Sequence, residues 1–318
     1  MDTQKAIDKM NRIHSISTKI TIFIIAGFLL CGMGVCVSFV MMEFVSKGAS
    51  VVLVLTGILF ALWAVAVVVG VPWSRNSQKT IKKLYKEVFV NGVFDEYFEN
   101  VRYDWEKGLT REEVSGGDLL EVWTHFESED RLSGDYQGVH FEQADVKSWK
   151  RVKRGDHYHD EYSIRGRFFI IDTNFKNIDS LKLFHHIMLE SAMEDGKNRG
   201  NRNTQVTMES EEFNKTISVY SKDAKDAFYI FKPDVMERVL KLYSKYYNGI
   251  CMHFKGQKLY VGINTMRDAF DAGNIIGTFP LRYPEERGKV KGDIQMVIDI
   301  IDTFQLVDAS EKEFIDME

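Results

Sequence analysis

Along most of this chain apolar and polar positions alternate on helical or strand periods, but two stretches near the amino end do not. Residues 20–42 and 48–74 carry no charged side chain, and the second has its apolar centre at 51–71. At 1.5 Å per residue, some 20 residues in a helix cover about 30 Å, the thickness of a bilayer's hydrocarbon. The pattern predicts transmembrane helices over 20–42 and 50–73. A cleaved signal peptide has an apolar stretch of only about 7–15 residues ending in a small-residue site. Here the first run is longer, Met41-Met42-Glu43-Phe44 offers no such site, and a second span follows at once. Neither span holds an ionisable residue, so the pair reads as an anchor and not as a conduit.

Basic residues orient the pair. Lys5, Lys9, Arg12 and Lys19 precede the first span, and Arg75, Lys79, Lys82, Lys83 and Lys86 follow the second. Only Lys47 lies between them, beside Glu43. By the positive-inside rule both termini are expected in the cytoplasm. Trp73 is expected at the interface and Pro72 at the end of free helix. Gly34 with Ser38, and Gly57 with Ala61, offer small-residue faces for helix packing. The expected division is a cytoplasmic segment 1–19, a helix 20–42, an external loop 43–49 and a helix 50–73. A basic juxtamembrane helix 74–100 follows, then a cytoplasmic α+β domain 101–318.

Past the spans, Ile81, Leu84, Tyr85 and Val88 recur at helical spacing, and Asn91-Gly92 is a breaker. Thr110 with Glu113 forms a capping-box signature. Ser133-Gly134-Asp135 reads as a turn. Val139 and Phe141 alternate as in a half-buried strand, and 162–172 reads as a buried strand. A strand is expected over 214–221 and a helix from Pro233 through Tyr243, ended by Asn248-Gly249. A hairpin is expected from 250–254 and 258–263 across Lys255-Gly256-Gln257, and a last helix over 292–304. The stretches 193–203 and 271–288 read as loops. Strands and helices without regular βαβ units make the fold class α+β, an antiparallel mixed domain behind two transmembrane helices.

Charge sharpens the division. Residues 1–86 hold ten Lys/Arg against three Asp/Glu, while the rest holds 31 against 43, a net of −12. The basic collar of Arg75, Lys79, Lys82, Lys83 and Lys86 is expected to meet anionic headgroups. The acidic body disfavours nucleic acid as a partner. The lipid bilayer is therefore the first expected partner and a protein at the membrane the second; self-association is left open. Three cysteines, two of them within the first span, supply no disulfide framework, which suits a reducing compartment.

Several segments resemble a known family. In order they are Glu209-Ser210-Glu211-Glu212-Phe213, Val219-Tyr220-Ser221-Lys222-Asp223, Ala227-Phe228-Tyr229-Ile230, Pro233, Met236-Glu237-Arg238 and Leu259-Tyr260-Val261-Gly262-Ile263. With Gly134-Asp135-Tyr136-Gln137-Gly138 and Gly166-Arg167-Phe168-Phe169 upstream, the stretch of roughly 80–305 resembles the bacterial DUF3137 family. Ile217 and Phe228 stand where that family's pattern has Phe and Arg. The resemblance implies a bacterial inner-membrane protein whose domain has no assigned function, and it supplies no catalytic residues.

No Walker, nucleophile-elbow, zincin or Rossmann pattern occurs, and no cofactor is expected. Asp156-His157-Tyr158-His159-Asp160-Glu161 is the densest run of potential metal ligands. His157 and His159 would share a strand face, although a polar hairpin tip is the plainer reading. His186 and Glu190 lie one helical turn apart, beside His185. Glu127, Glu129 and Asp130 near His125 could divide acid and base roles, but solvated acids are the simpler account. Glu209, Glu211 and Glu212 read as local hydrogen-bonding groups. Phe228, Tyr229, Phe231, Tyr243, Tyr246 and Tyr247 read as core before groove. The reading is a membrane-anchored interaction or scaffold domain; the alternative is an enzyme, a metal-assisted hydrolase at His157/His159 or an acid-base one at Glu127/Glu129.

Overall fold

The computed structural model of the chain describes residues 3–44, 49–175, 178–186, 204–246, 249–271 and 280–306. The chain divides into two compact units, Met1–Asn91 with Asp271–Arg287, and Gly92–Phe270 with Gly288–Glu318. The segment 271–287, which the sequence assigns to the soluble domain, thus belongs with the amino-terminal helices.

The first unit is built on helices α1 (Thr3–Phe44) and α2 (Ala49–Tyr85). Both are long and apolar enough to cross a membrane. They run antiparallel. Ser17 Oγ lies 3.0 Å from Ser74 Oγ, and Trp63 Nε1 donates to the Ile24 carbonyl at 2.9 Å. Gly27 makes room for that ring: a Cβ there would stand 2.5 Å from Trp63 Cδ1. Pro72 does not end a helix, because α2 continues through it to Tyr85. A π-helical turn, Lys86–Val90, follows, and Gly92 at φ 76° completes the break expected at Asn91-Gly92.

Ala6, Ile7 and Met10 of α1 are buried, as are Ile81, Leu84, Tyr85 and Phe89. The returning segment joins them. Leu281 N donates to Asn11 Oδ1 at 2.9 Å, and Tyr85 Oη donates to Glu286 Oε2 at 2.9 Å.

The second unit carries a sheet that, among the described residues, has nine strands. They are β1 (Glu99–Asp104), β2 (His125–Tyr136), β3 (Val139–Arg154), β4 (His157–Asp172), β5 (Ile178–His185), β6 (Thr204–Val206), β7 (Ile217–Ser221), β8 (Ile250–Gly256) and β9 (Lys258–Ile263). The order is β1-β2-β3-β4-β9-β8-β5-β7-β6, and every recorded pair is antiparallel. The fold is therefore α+β with an antiparallel sheet behind two long helices, as the pattern predicts.

One sheet face is covered by the segment joining β1 to β2, which holds the short helix α3 (Arg111–Gly116). Its start is the expected capping box, with Thr110 and Glu113 bonding each other's backbone N–H. Leu109, Val114, Leu119 and Leu120 pack there with Ala144, Val146, Ile164, Phe168, Phe184 and Cys251. The remaining helices are α4 (Glu211–Thr216), α5 (Ala224–Ile230), α6 (Pro233–Lys245) and α7 (Tyr283–Phe304). Phe304 of α7 meets Phe254 of β8 edge-on at 5.0 Å, and Arg238 of α6 donates to the Thr303 carbonyl at 2.8 Å.

Three local expectations change. Ser133-Gly134-Asp135 lies inside β2, and the turn falls at Gln137-Gly138. Gly134 is there for β1: a Cβ would stand 3.1 Å from the Glu99 carbonyl. The stretch expected as strand from 214 opens instead with α4, capped by Ser210, and β7 begins at Ile217. The last helix starts at Tyr283, not near 292. Gly288 and Gly292 sit in it at exposed positions, where each costs about 1 kcal/mol relative to Ala. The burial of Val290, Ile294, Val297 and Ile301 outweighs that.

Candidate functional site

Alternation along β3 and β4 puts charge inside the sheet unit. Arg167 pairs in register with Asp145 and is 1% exposed. Its Nε donates to Asp145 Oδ1 at 2.9 Å and its Nη1 to Gln143 Oε1 at 3.0 Å. Nη2 lies 3.8 Å from Asp293 Oδ2 on α7, and the guanidinium stands 4.4 Å from the centre of the Phe270 ring. Both acids also hold the segment after β9. Ala269 N donates to Asp145, Phe270 N donates to Asp293 at 3.3 Å, and Arg267 pairs with Asp293. Burial pushes the Asp145 carboxyl up to about 7; the Arg167 guanidinium pulls the other way.

Asp145 also reaches a groove of about 420 Å³ shared with Glu106, Phe126, Glu127, Glu129 and Lys147. Lys147 pairs with Asp268 at 2.7 Å, and Ser128 Oγ donates to the Asp145 carbonyl at 2.9 Å. Chemically, three glutamates around one ammonium suit a cationic guest, and Asp145 can hold or release a proton near neutrality. Glu127 and Glu129 both line this groove. Asp130 does not join them: at φ 61° it marks the irregularity in β2 and is buried, accepting from Tyr103 Oη. Asp145 escaped the sequence reading, although Val139 and Phe141 set an alternation that assigns 145 to the same buried face.

A second polar array lies where β5 meets β8. Ser180 Oγ donates to His253 Nε2 at 2.8 Å, and His253 Nδ1, 2.6 Å from the Gly117 carbonyl, must carry the hydrogen because a carbonyl only accepts. Lys182 Nζ reaches Asp118 Oδ2 at 3.1 Å. Burial pushes His253 down to about 4 and lowers Lys182, opposed by the Gly117 bond and by Asp118. His253 is 1% exposed and Lys182 fully buried, so the array ties the β1–β2 connection to the sheet centre.

The other singled-out residues fall elsewhere. His157 and His159 stand by the Gly155-Asp156 turn of the β3–β4 hairpin, in register with Arg154 and Val152. His159 Nε2 lies 3.2 Å from Glu161 Oε1, and among the described residues no third ligand joins the two imidazoles. His186 reaches Ser218 Oγ at 3.1 Å; Glu190 lies outside the described residues. Glu211 and Glu212 occupy the first turn of α4, and Glu209 is exposed just before it. Phe231 and Tyr243 are core, Phe228 and Tyr229 are exposed, Tyr246 donates to Asp299, and Tyr247 is outside the described residues. Gly57 and Ala61 are exposed; the side chains at 34 and 38 are likewise outside the described set. Of the basic collar, Lys82 and Lys86 each stand 3.4 Å from Asp271, and Lys86 is only 3% exposed. That pairing removes Lys86 from any headgroup-facing surface, while Arg75, Lys79 and Lys83 stay exposed.

One unit holds two helices long and apolar enough to cross a membrane, and the other an antiparallel α+β sheet with a buried ion array. Residues 163–306 match the family model described as "Protein of unknown function (DUF3137)". The match opens at Ser163 within β4, so β1–β3 and the helical pair precede it. No curated protein matches the chain. Among solved structures, the crystal structure of the mycobacterial trehalose monomycolate transport factor A aligns with a TM-score of 0.33 and 8% identity. That alignment covers 64% of this chain and 88% of the other.

Proposed function

We propose that the chain is a bilayer-anchored interaction module of a bacterial inner membrane, with both termini and the sheet unit in the cytoplasm. One observation carries the reading: the middle of both long helices turns apolar side chains outward. Ile22, Phe23, Phe28, Leu62 and Val68 are 60–71% exposed. Water does not support an apolar surface of that extent, whereas lipid does. The excess of Lys and Arg at both outer flanks supports the orientation. The sheet unit's acidity and its groove at Glu127, Glu129 and Asp145 favour a partner that presents a basic segment.

Membranes holding the full chain should keep it through alkaline carbonate extraction, and protease added outside sealed cells should spare the sheet unit. Release by carbonate, or external cleavage after Glu318's side of α2, overturns the anchoring. A photo-crosslinker at Glu106 in intact membranes should trap one reproducible partner, and Glu127→Lys with Glu129→Lys should abolish the adduct. An adduct indifferent to both charges overturns the groove as the contact.

A further inference from the structure

Within the helical unit a groove of about 380 Å³ is lined by Asn11, His14, Ser15, Thr18, Lys19 and Pro280. All but the proline stand on one side of α1 at spacings of three and four residues. Their polar groups form a donor set: an ammonium, two hydroxyls, an amide and an imidazole, with no carboxylate among the six. Asn11 already accepts from Leu281 N through Oδ1, which leaves its Nδ2 as a donor. Thr18 Oγ1 and His14 Nε2 lie 3.5 Å apart, side by side on the stripe. Ser17, facing elsewhere, is taken up by Ser74.

Depth identifies the ligand. The charge-free run begins at Ile20, so Ser15 to Lys19 fall within about 8 Å of the hydrocarbon edge, the thickness of a headgroup layer. The same stripe continues as Ile22 and Phe23, which are 60% and 64% exposed. A polar pocket therefore opens directly onto an apolar track, the outline of an amphiphile with an anionic head and an acyl tail. Free phosphate would use the donors and leave the track without a purpose.

We propose that this groove binds the phosphate headgroup of an anionic phospholipid, with an acyl chain laid along Ile22 and Phe23. The proposal rests on the membrane-anchored reading above and deepens it.

The test uses the full chain purified in mild detergent, with native mass spectrometry counting retained phosphatidylglycerol against phosphatidylcholine. Wild type should retain phosphatidylglycerol preferentially. His14→Gln with Lys19→Gln should lower retention about ten-fold or more, because bonds to charged groups are the strong ones. Ser15→Ala with Thr18→Val removes donors and no charge, and should lower it about three-fold. Lys9→Gln removes a charge outside the groove and should leave retention unchanged. Equal losses in Lys9→Gln and in the His14→Gln with Lys19→Gln variant, or full retention in the hydroxyl variant, reduce the effect to diffuse electrostatics and overturn the site. Binding of inorganic phosphate without retention of either lipid overturns the lipid assignment. Carbonate extraction of the same preparation separates the two failures. A chain that washes off loses the anchoring, whereas a chain that stays embedded while its variants keep the lipid loses only this site.

Discussion

In the helical unit Ile22, Phe28, Leu62 and Val68 point outward, and polar contacts between α1 and α2 among the described residues include a serine pair and one indole N–H. In the sheet unit Arg167, Lys182, His253, Asp145 and Asp293 are all within 4% of full burial. The same chain treats polarity in opposite ways because the two regions face different costs. On the membrane-anchored reading proposed above the helical pair faces lipid, where an apolar exterior loses nothing and every backbone group must be satisfied inside the helix. In the sheet, a buried charge must find its counter-charge, and two elements, β3 through Asp145 and α7 through Asp293, supply it to Arg167. Buried ion arrays are weak evidence for stability as such, but they fail severely when one partner is removed.

That asymmetry gives the largest expected effect. Arg167→Leu leaves Asp145 buried without its cation and Asp293 with Arg267 alone, and should destabilise the sheet unit by about 3–5 kcal/mol. The measurement is the urea midpoint of the full chain in mild detergent, followed by far-UV circular dichroism. Adding Asp145→Asn should recover part of the loss, since contacting residues couple by about 0.5–3 kcal/mol. A loss below about 1 kcal/mol in the single variant would mean water reaches the array, and the contrast between the units would weaken accordingly.

Titration sharpens the contrast further, because the two buried groups of the sheet unit pull in opposite directions. His253 falls to about 4 in the fold from an unfolded value of about 6.5. The unfolded chain then binds the extra proton, so stability present above pH 6.5 is lost as pH falls toward 4. Asp145 rises to about 7 from an unfolded value of about 3.9. There the folded chain keeps the proton, so stability present below pH 4 is lost as pH rises toward 7. Between pH 4 and 6.5 the two slopes nearly cancel. His253→Gln should unmask a stability that declines by about 3 kcal/mol as pH rises across that window, and Asp145→Asn one that climbs by a similar amount. Thermal melts at half-unit pH steps decide it. Parallel profiles in the two variants would show that neither group titrates as its burial requires.

How much of this was legible in the sequence follows the same division. The helical pair could be read directly as two helices long and apolar enough to cross a membrane; the extension of α1 back to Thr3, the continuation of α2 through Pro72 and the π-turn at 86–90 escaped. The hairpins around Gly155 and Gly256 were legible from their turn residues and alternation. β2 was not. Its sequence is mostly polar, its irregularity at Asp130 breaks the period, and Gly134 imitates a turn while serving the approach of β1. The ion array was hidden for a different reason. Arg167 reads as one more surface cation until the fold brings Asp145, Gln143 and Asp293 to it, from as far as 126 residues away. Of the acidic groove, Glu127 and Glu129 were legible as a pair, whereas Asp145 needed the strand register to join them.

The smallest effect lies in the helical unit and tests its side of the comparison. Trp63→Phe keeps an aromatic ring against Phe28 and Phe60, whose centroids lie 5.9 and 5.6 Å away, and deletes only the N–H that reaches the Ile24 carbonyl. On the membrane-anchored reading, such a bond between membrane helices is worth about 0.6 kcal/mol, because the separated helices find other partners for the same groups. Reversible unfolding of the full chain in mixed detergent and dodecyl sulfate micelles should show a decrease of that order. A loss above about 2 kcal/mol exceeds what a hydrogen bond between membrane helices supplies. In that case the pair would depend on a buried polar contact as the sheet unit does, and the difference between the two regions would be one of solvent alone and not of construction.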